Sequence, residues 1–226
     1  MSIKTVLKNN SCFRHLAAFI YSFARNHISV NGHNNQIVRA GAFMSGCRIR
    51  INGSNNRIIL NSEGSLNYLK DLVISIHGND NNIIIGRNVS TQGLSFSVED
   101  DNNRIVLGDN FTGGGFSELA AIEGTEIIFG SDCMLSAHIT IRTGDSHSIL
   151  DAKMRNRINP SKSVIIGNHV WIGNTVLIFK GANIGSNSII AGGSVVTGKT
   201  FPSNSIIGGN PAKVIKDNVD WKVERI

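Results

Sequence analysis

The apolar residues near the C-terminus fall on a six-residue beat. Ile166, Ile172, Ile178, Ile184, Ile190 and Val196 are spaced by six without a slip, and Gly167, Gly173 and Gly185 follow three of them. A helix repeats every 3.6 residues and a plain strand every two, so neither explains the pattern. A period of six fits a prism wound from short strands, each followed by a tight turn. The branched residue points inward and stacks on its equivalent one coil away. Ile and Val fill such an interior and favour extended backbone. A charged residue there would be buried unpaired. Glycine after the inward residue is expected to supply backbone angles that a side chain penalises. Three hexads make a coil of about eighteen residues, so residues 163–199 cover about two coils. An ordinary sandwich of amphipathic strands would have to reach six successive registers by accident.

Upstream the beat is looser but has an echo. NGHNNQI at 31–37, NGSNNRI at 52–58, GNDNNII at 78–84 and DDNNRIV at 100–106 read as four versions of one turn-and-strand unit. Their pairs Asn34-Asn35, Asn55-Asn56, Asn81-Asn82 and Asn102-Asn103 recur at intervals of 21, 26 and 21. Each interval suggests one coil plus a small insertion. Asn tolerates turn geometry, and stacked Asn side chains can bond one another between coils. RIVLGDN at 104–110, EIIFG at 126–130 and ITIRTG at 139–144 continue the wall. The expected fold class is all-β, a parallel β-helix over residues 28–209. Residues 11–27, SCFRHLAAFIYSFARNH, instead place Phe13, Leu16, Ala17, Ile20, Phe23 and Ala24 on one helical face. The chain therefore divides into a helical cap over 1–27, the solenoid over 28–209 and a closing segment over 210–226 that leaves the beat at Pro211. The helix either covers the open first coil, the preferred reading, or lies on a membrane surface.

Composition narrows the classes. At 226 residues the chain can form one substantial core. With 24 Gly and 3 Pro it has many turns but is neither collagen-like nor a disordered linker. No apolar run reaches the roughly 18–20 residues that span a bilayer, and the N-terminus lacks a secretory cleavage pattern. The expected location is the cytoplasm, with weak contact to the inner membrane face through residues 11–27 as an addition. Cys12, Cys47 and Cys133 are odd in number and dispersed, which suits buried reduced thiols. No His/Cys/Asp grouping has metal-ligand spacing. The net charge of +6 is scattered, without the basic-aromatic pattern of a nucleic-acid binder. Lys199, Lys213 and Lys216 gather at the C-terminal end, where they can form a local field for a phosphorylated ligand.

Ile166 follows Ile141 by 25 residues, one more than four hexads. The segment 143–163 therefore leaves the wall and returns in register. Excursions from a rigid scaffold are natural places for function. His147 sits near the departure point, and a histidine can accept a proton at neutral pH. Asp145, two residues earlier, points the same way in an extended segment, where it can orient the imidazole or contact a ligand. Trp171 offers an indole face for packing against a ligand and an N–H to donate. His138 and His169 lie on the coil or its turns and read as solvated. His15, His27, His33 and His77 have no chemical partner in sequence.

TGDSHSILD at 143–151, RINP at 157–160, VIIGNHVWIG at 164–173 and GGNPAKVIK at 208–216 together carry a resemblance. The chain resembles the hexapeptide-repeat acyltransferases, in particular the sugar and polysaccharide O-acetyltransferases, among them galactoside, maltose, xenobiotic and polysialic acid acetyltransferases. The match is firm over roughly residues 126–217. The resemblance implies left-handed winding, against the right-handed rule for sheet crossovers. It implies acetyl-CoA as cosubstrate, no metal, a glycan or sugar acceptor, and a homotrimer with the donor in a groove between subunits. His147 is implied as the general base for direct transfer from thioester to hydroxyl, with Cys133 not serving as a carrier. Trp171 is implied to line the site. Asn174, Gly192, Thr197, Lys199, Lys213 and Lys216 fall on the donor contacts, the last two near the adenosine phosphates. Relatives commonly have Thr-Lys directly after Val-Val; here Gly198 shifts the lysine by one place. Glu123 falls near an acidic acceptor contact, with the loop GGGFSELAAIEG at 113–124 as the far wall, although by itself it reads first as a surface salt-bridge partner. The expected function is acetylation of a hydroxyl in a surface polysaccharide, capsule or O-antigen, or its precursor. The alternatives are the same fold acting on an amino sugar, serine or xenobiotic, and a solenoid that only binds.

Overall fold

Each coil gives one short strand to each of three sheets, parallel throughout except for one edge strand. A computed structural model describes residues 25–39, 41–60 and 66–225. Among the described residues the sheets hold eight, eight and nine strands and form the faces of a left-handed β-helix. Face A begins with His27–Asn31, face B with Gln36–Val38 and face C with Ala42–Ser45. The chain visits A, B and C in turn.

The six residues of the beat are buried, each at most 1% exposed. They point inward from faces B, C and A in rotation and stack on their equivalents. Ile166 pairs with Ile184, Ile172 with Ile190 and Ile178 with Val196. On face A the inward column begins Ile28, Ile49, Ile74, Phe96, Leu119 and Ile141. The interior is a stack of branched and aromatic side chains, whose burial is the main favourable term in folding.

The glycines after the beat act differently from the sequence expectation. Gly167, Gly173 and Gly185 do not lie in the left-handed region. A Cβ on Gly185 would fall 2.3 Å from the Ser203 backbone nitrogen, and one on Gly173 2.6 Å from that of Gly192. Close passage between coils, not backbone angle, demands glycine there. The left-handed turn positions instead hold Asn34, Asn55, Asp80, Asn102, His138 and His169, with φ between 54° and 62°. Asn, Asp and His are the side chains that tolerate this region best.

The asparagine echo forms a buried ladder, with one shift. Asn56 Nδ2 donates to Asn35 Oδ1, Asn81 to Asn56 and Asn103 to Asn81, each at 3.0 Å. The sequence separations are 21, 25 and 22, because the third unit is Asp80-Asn81 and not Asn81-Asn82. The ladder continues through Thr125, whose backbone N–H donates to Asn103 Oδ1, to Thr143 at the root of the excursion.

Segment 143–163 leaves between the strands Thr140–Arg142 of face A and Val164–Ile166 of face B. Facing backbones are consequently 37 residues apart there, against 18 in a regular coil. Residues 113–124 are not a loop: Ser117–Ile122 is a regular strand of face A. At the C-terminus, Ala212–Lys216 turns back antiparallel along the edge of face C. The helix expected over 11–27 lies outside the described residues except at its end, where His27 already belongs to a strand.

Candidate active site

The excursion is a small hairpin rooted at the corner between faces A and B. Leu150 and Arg157 form an antiparallel bridge. The Asp151 carboxylate accepts from the backbone N–H groups of Lys153 and Met154 and closes the tip. Asn159, 8% exposed, organises the base. Its Nδ2 donates to Asp145 Oδ2 and to the His147 carbonyl, both at 2.8 Å. Its Oδ1 accepts from the Ile149 N–H at 2.7 Å. One buried amide thereby fixes the His147 carbonyl, the Ile149 N–H and the Asp145 side chain, while His147 itself is exposed.

Asp145 does not bond the imidazole through its carboxylate, as the spacing had allowed. Its carboxylate pairs with Lys180 Nζ and Asn159. Lys180, followed by Asn159, holds the Asp145 carboxyl below the usual carboxylate range. Lys180 also donates to the Asn159 carbonyl at 3.1 Å. Glu123 sits on the other flank, 2.7 Å from Arg157 Nη1, and accepts from the Ser161 N–H at 3.2 Å. The Arg157 guanidinium and Ser161 lower its pKa too. Glu123 thus ties the returning limb of the excursion to the wall. Sequence reasoning missed Asn159 as a site residue and missed Lys180 altogether. RINP held the former; the latter lies 35 residues from its partner.

Trp171 stands on face C, 37% exposed, with Nε1 3.4 Å from Ser136 Oγ. Its ring lies 6.1 Å from that of Trp221. His169 is not simply solvated: its ring stacks on Trp221 at 4.2 Å, and Trp221 Nε1 donates to the His169 carbonyl. Asn174 and Gly192 come together at the corner between C and A, where the Gly193 N–H donates to the Asn174 carbonyl at 2.9 Å. Thr197 and Lys199 lie at the A–B corner. Gly198 packs there, since a Cβ on it would fall 2.7 Å from the Lys180 carbonyl. Lys213 and Lys216 are exposed on the edge strand of face C, opposite Gly208 and Ile206. Within one chain, then, His147, Thr197 and Lys199 lie at the A–B corner, and Trp171 and the two C-terminal lysines on face C. Cys133 is buried, and burial pushes its thiol up to about 11. Among the described residues there is no cluster of three metal-ligating side chains.

No protein-family model matches the chain. A polysialic acid O-acetyltransferase of Neisseria meningitidis is 33% identical over 194 residues, covering 85% of this chain and 88% of its own. The chain belongs to the hexapeptide-repeat O-acetyltransferases. A polysialic acid O-acetyltransferase of Escherichia coli O1:K1 is 38% identical to this acetyltransferase over 95 residues, 42% of this chain but only 31% of that longer protein. The crystal structure of the polysialic acid O-acetyltransferase OatWY superposes with a TM-score of 0.79 at 30% identity, over 88% of this chain and 92% of that one.

Proposed function

We propose that the protein transfers acetyl from acetyl-CoA to a hydroxyl of an acidic surface polysaccharide, as the names of its relatives suggest. The observation that carries the reading is the near end-to-end match, in sequence and fold, to polysialic acid O-acetyltransferases. His147 takes the proton of the acceptor hydroxyl as its oxygen attacks the thioester carbonyl. The tetrahedral intermediate collapses, and the CoA thiolate leaves and takes the proton from the imidazolium. Trp171 packs against the reacting groups. Asn174, Gly192, Thr197 and Lys199 contact the donor, Gly192 leaving room for the pantetheine arm, and Lys213 and Lys216 face the adenosine phosphates. A free, well-buried thiol with a raised pKa is a poor nucleophile, which supports direct transfer without Cys133.

The site is completed by a second copy in a homotrimer. Two features support this. His147 and Trp171 occupy different parts of the prism. The excursion also exposes Ile149, Leu150, Met154 and Ile158, between 39% and 72%, an apolar surface suited to a neighbouring chain. The test is release of free CoA with a panel of acceptors: sialic acid polymer, neutral polysaccharide, amino sugar and serine. Release that needs the acidic polymer supports the reading. Release only with the amine acceptors overturns it.

A further inference from the structure

Trp171 is one member of a longer row on face C. Register places it beside Met134, then Thr112, Ser90, Tyr68 and Phe43, strand by strand towards the N-terminus. Lys70 stands in the adjacent row, between Ser45 and Gln92. At a strand spacing of about 4.8 Å the row is about 24 Å long. A groove of about 670 Å³ runs over the row from Phe43 to Met134, lined also by Lys70 and Gln92, and ends one strand short of Trp171. Tyr68 is 51% exposed, and its ring lies 6.0 Å from that of Phe43.

The chemistry of this groove is that of a sugar chain. A pyranose has an apolar C–H face and a rim of hydroxyls. The far end of the groove offers aromatic rings to cover such a face. Its middle offers the Ser90 and Thr112 hydroxyls and the Gln92 amide, which both donate and accept. The one charged lining residue is Lys70, which pairs with a carboxylate.

We propose that the groove holds an acidic oligosaccharide, with its reacting sugar at Trp171 and further sugars running along face C to Tyr68. The proposal rests on the acyl-transfer reading of Trp171 and deepens it: the enzyme grips a chain, not a single sugar.

The test uses sialic acid oligomers of defined length, from the dimer to the long polymer, as acceptors and as titrants in calorimetry without acetyl-CoA. Wild type is expected to show a KM and a Kd that fall as the chain lengthens. Tyr68→Ala is expected to raise both for the polymer by about five- to tenfold. It should leave kcat, the acetyl-CoA KM and the dimer KM unchanged. Lys70→Ala should also weaken the polymer, with the loss shrinking at high salt. Length-independent binding in wild type, or unchanged polymer binding in both variants, overturns the groove. Dissociation of the native assembly by Tyr68→Ala overturns it too, because the groove would then be a contact between copies. Polymer binding that depends on Tyr68 without any acetyl transfer would instead retain the groove and remove the proposed reaction.

Discussion

His147 is held through its backbone. Asn159 bonds its carbonyl, and Lys180 takes up the neighbouring Asp145 carboxylate. The imidazole is thereby presented from a fixed root on an exposed limb. His147→Ala should lower kcat by about 10²–10⁴-fold, the usual worth of a positioned general base, with acetyl-CoA binding unchanged in a calorimetric titration. Asp145 and Glu123 both have lowered pKa values in the fold, through Lys180 and Arg157 respectively. Their contribution to stability is complete above the ordinary carboxylate range and is lost as pH falls through the lowered values. Asp145→Asn should therefore be less stable than wild type in urea at pH 7, and the gap should close on acidification towards pH 3. A gap independent of pH would mean that the carboxylate charge plays no part. His147 and Trp171 could be proposed from the sequence because each sits in a compact motif that carries the family resemblance. The true partners of Asp145 and Glu123 could not. Those pairs form only when a coil closes and brings residues 35 or 38 apart into contact.

At the scale of the element, the strict beat was legible because each inward residue repeats after a fixed count. In the N-terminal coils the turns absorb extra residues, and the separations become 21, 25 and 22. Local pattern then misplaces a unit, as it did at Asp80-Asn81. What marks the true unit is the buried amide, which must find partners in the coils on either side. Asn81, 1% exposed, donates to Asn56 and to the Asp100 carbonyl and accepts from Asn103. Asn81→Ala strands several of these groups and should cost about 2–4 kcal/mol. Chemical denaturation with unchanged m-value measures it. Asn82→Ala, one residue along on the outer side of the wall, should cost much less. The reverse order would contradict the register of the ladder.

For the molecule as a whole, the three-faced prism separates the two halves of the candidate site. No pattern within a chain reveals how copies meet, so only the family resemblance pointed to a trimer. The exposed apolar tip of the excursion adds a physical reason for it. Sedimentation should give a trimer, and Met154→Asp with Ile158→Asp should shift it towards monomer with loss of turnover. A fully active monomer would refute the shared site. Acetyl transfer to a sugar oxygen by way of His147 can be followed by NMR of the product. Acetyl-CoA labelled with ¹³C in the acetyl group is incubated with sialic acid polymer and either wild type or His147→Ala. An O-acetyl ester signal, removed by mild alkali, is expected from wild type, and little or none from the variant at equal time. Label found on nitrogen, or an equal ester yield from His147→Ala, would contradict it.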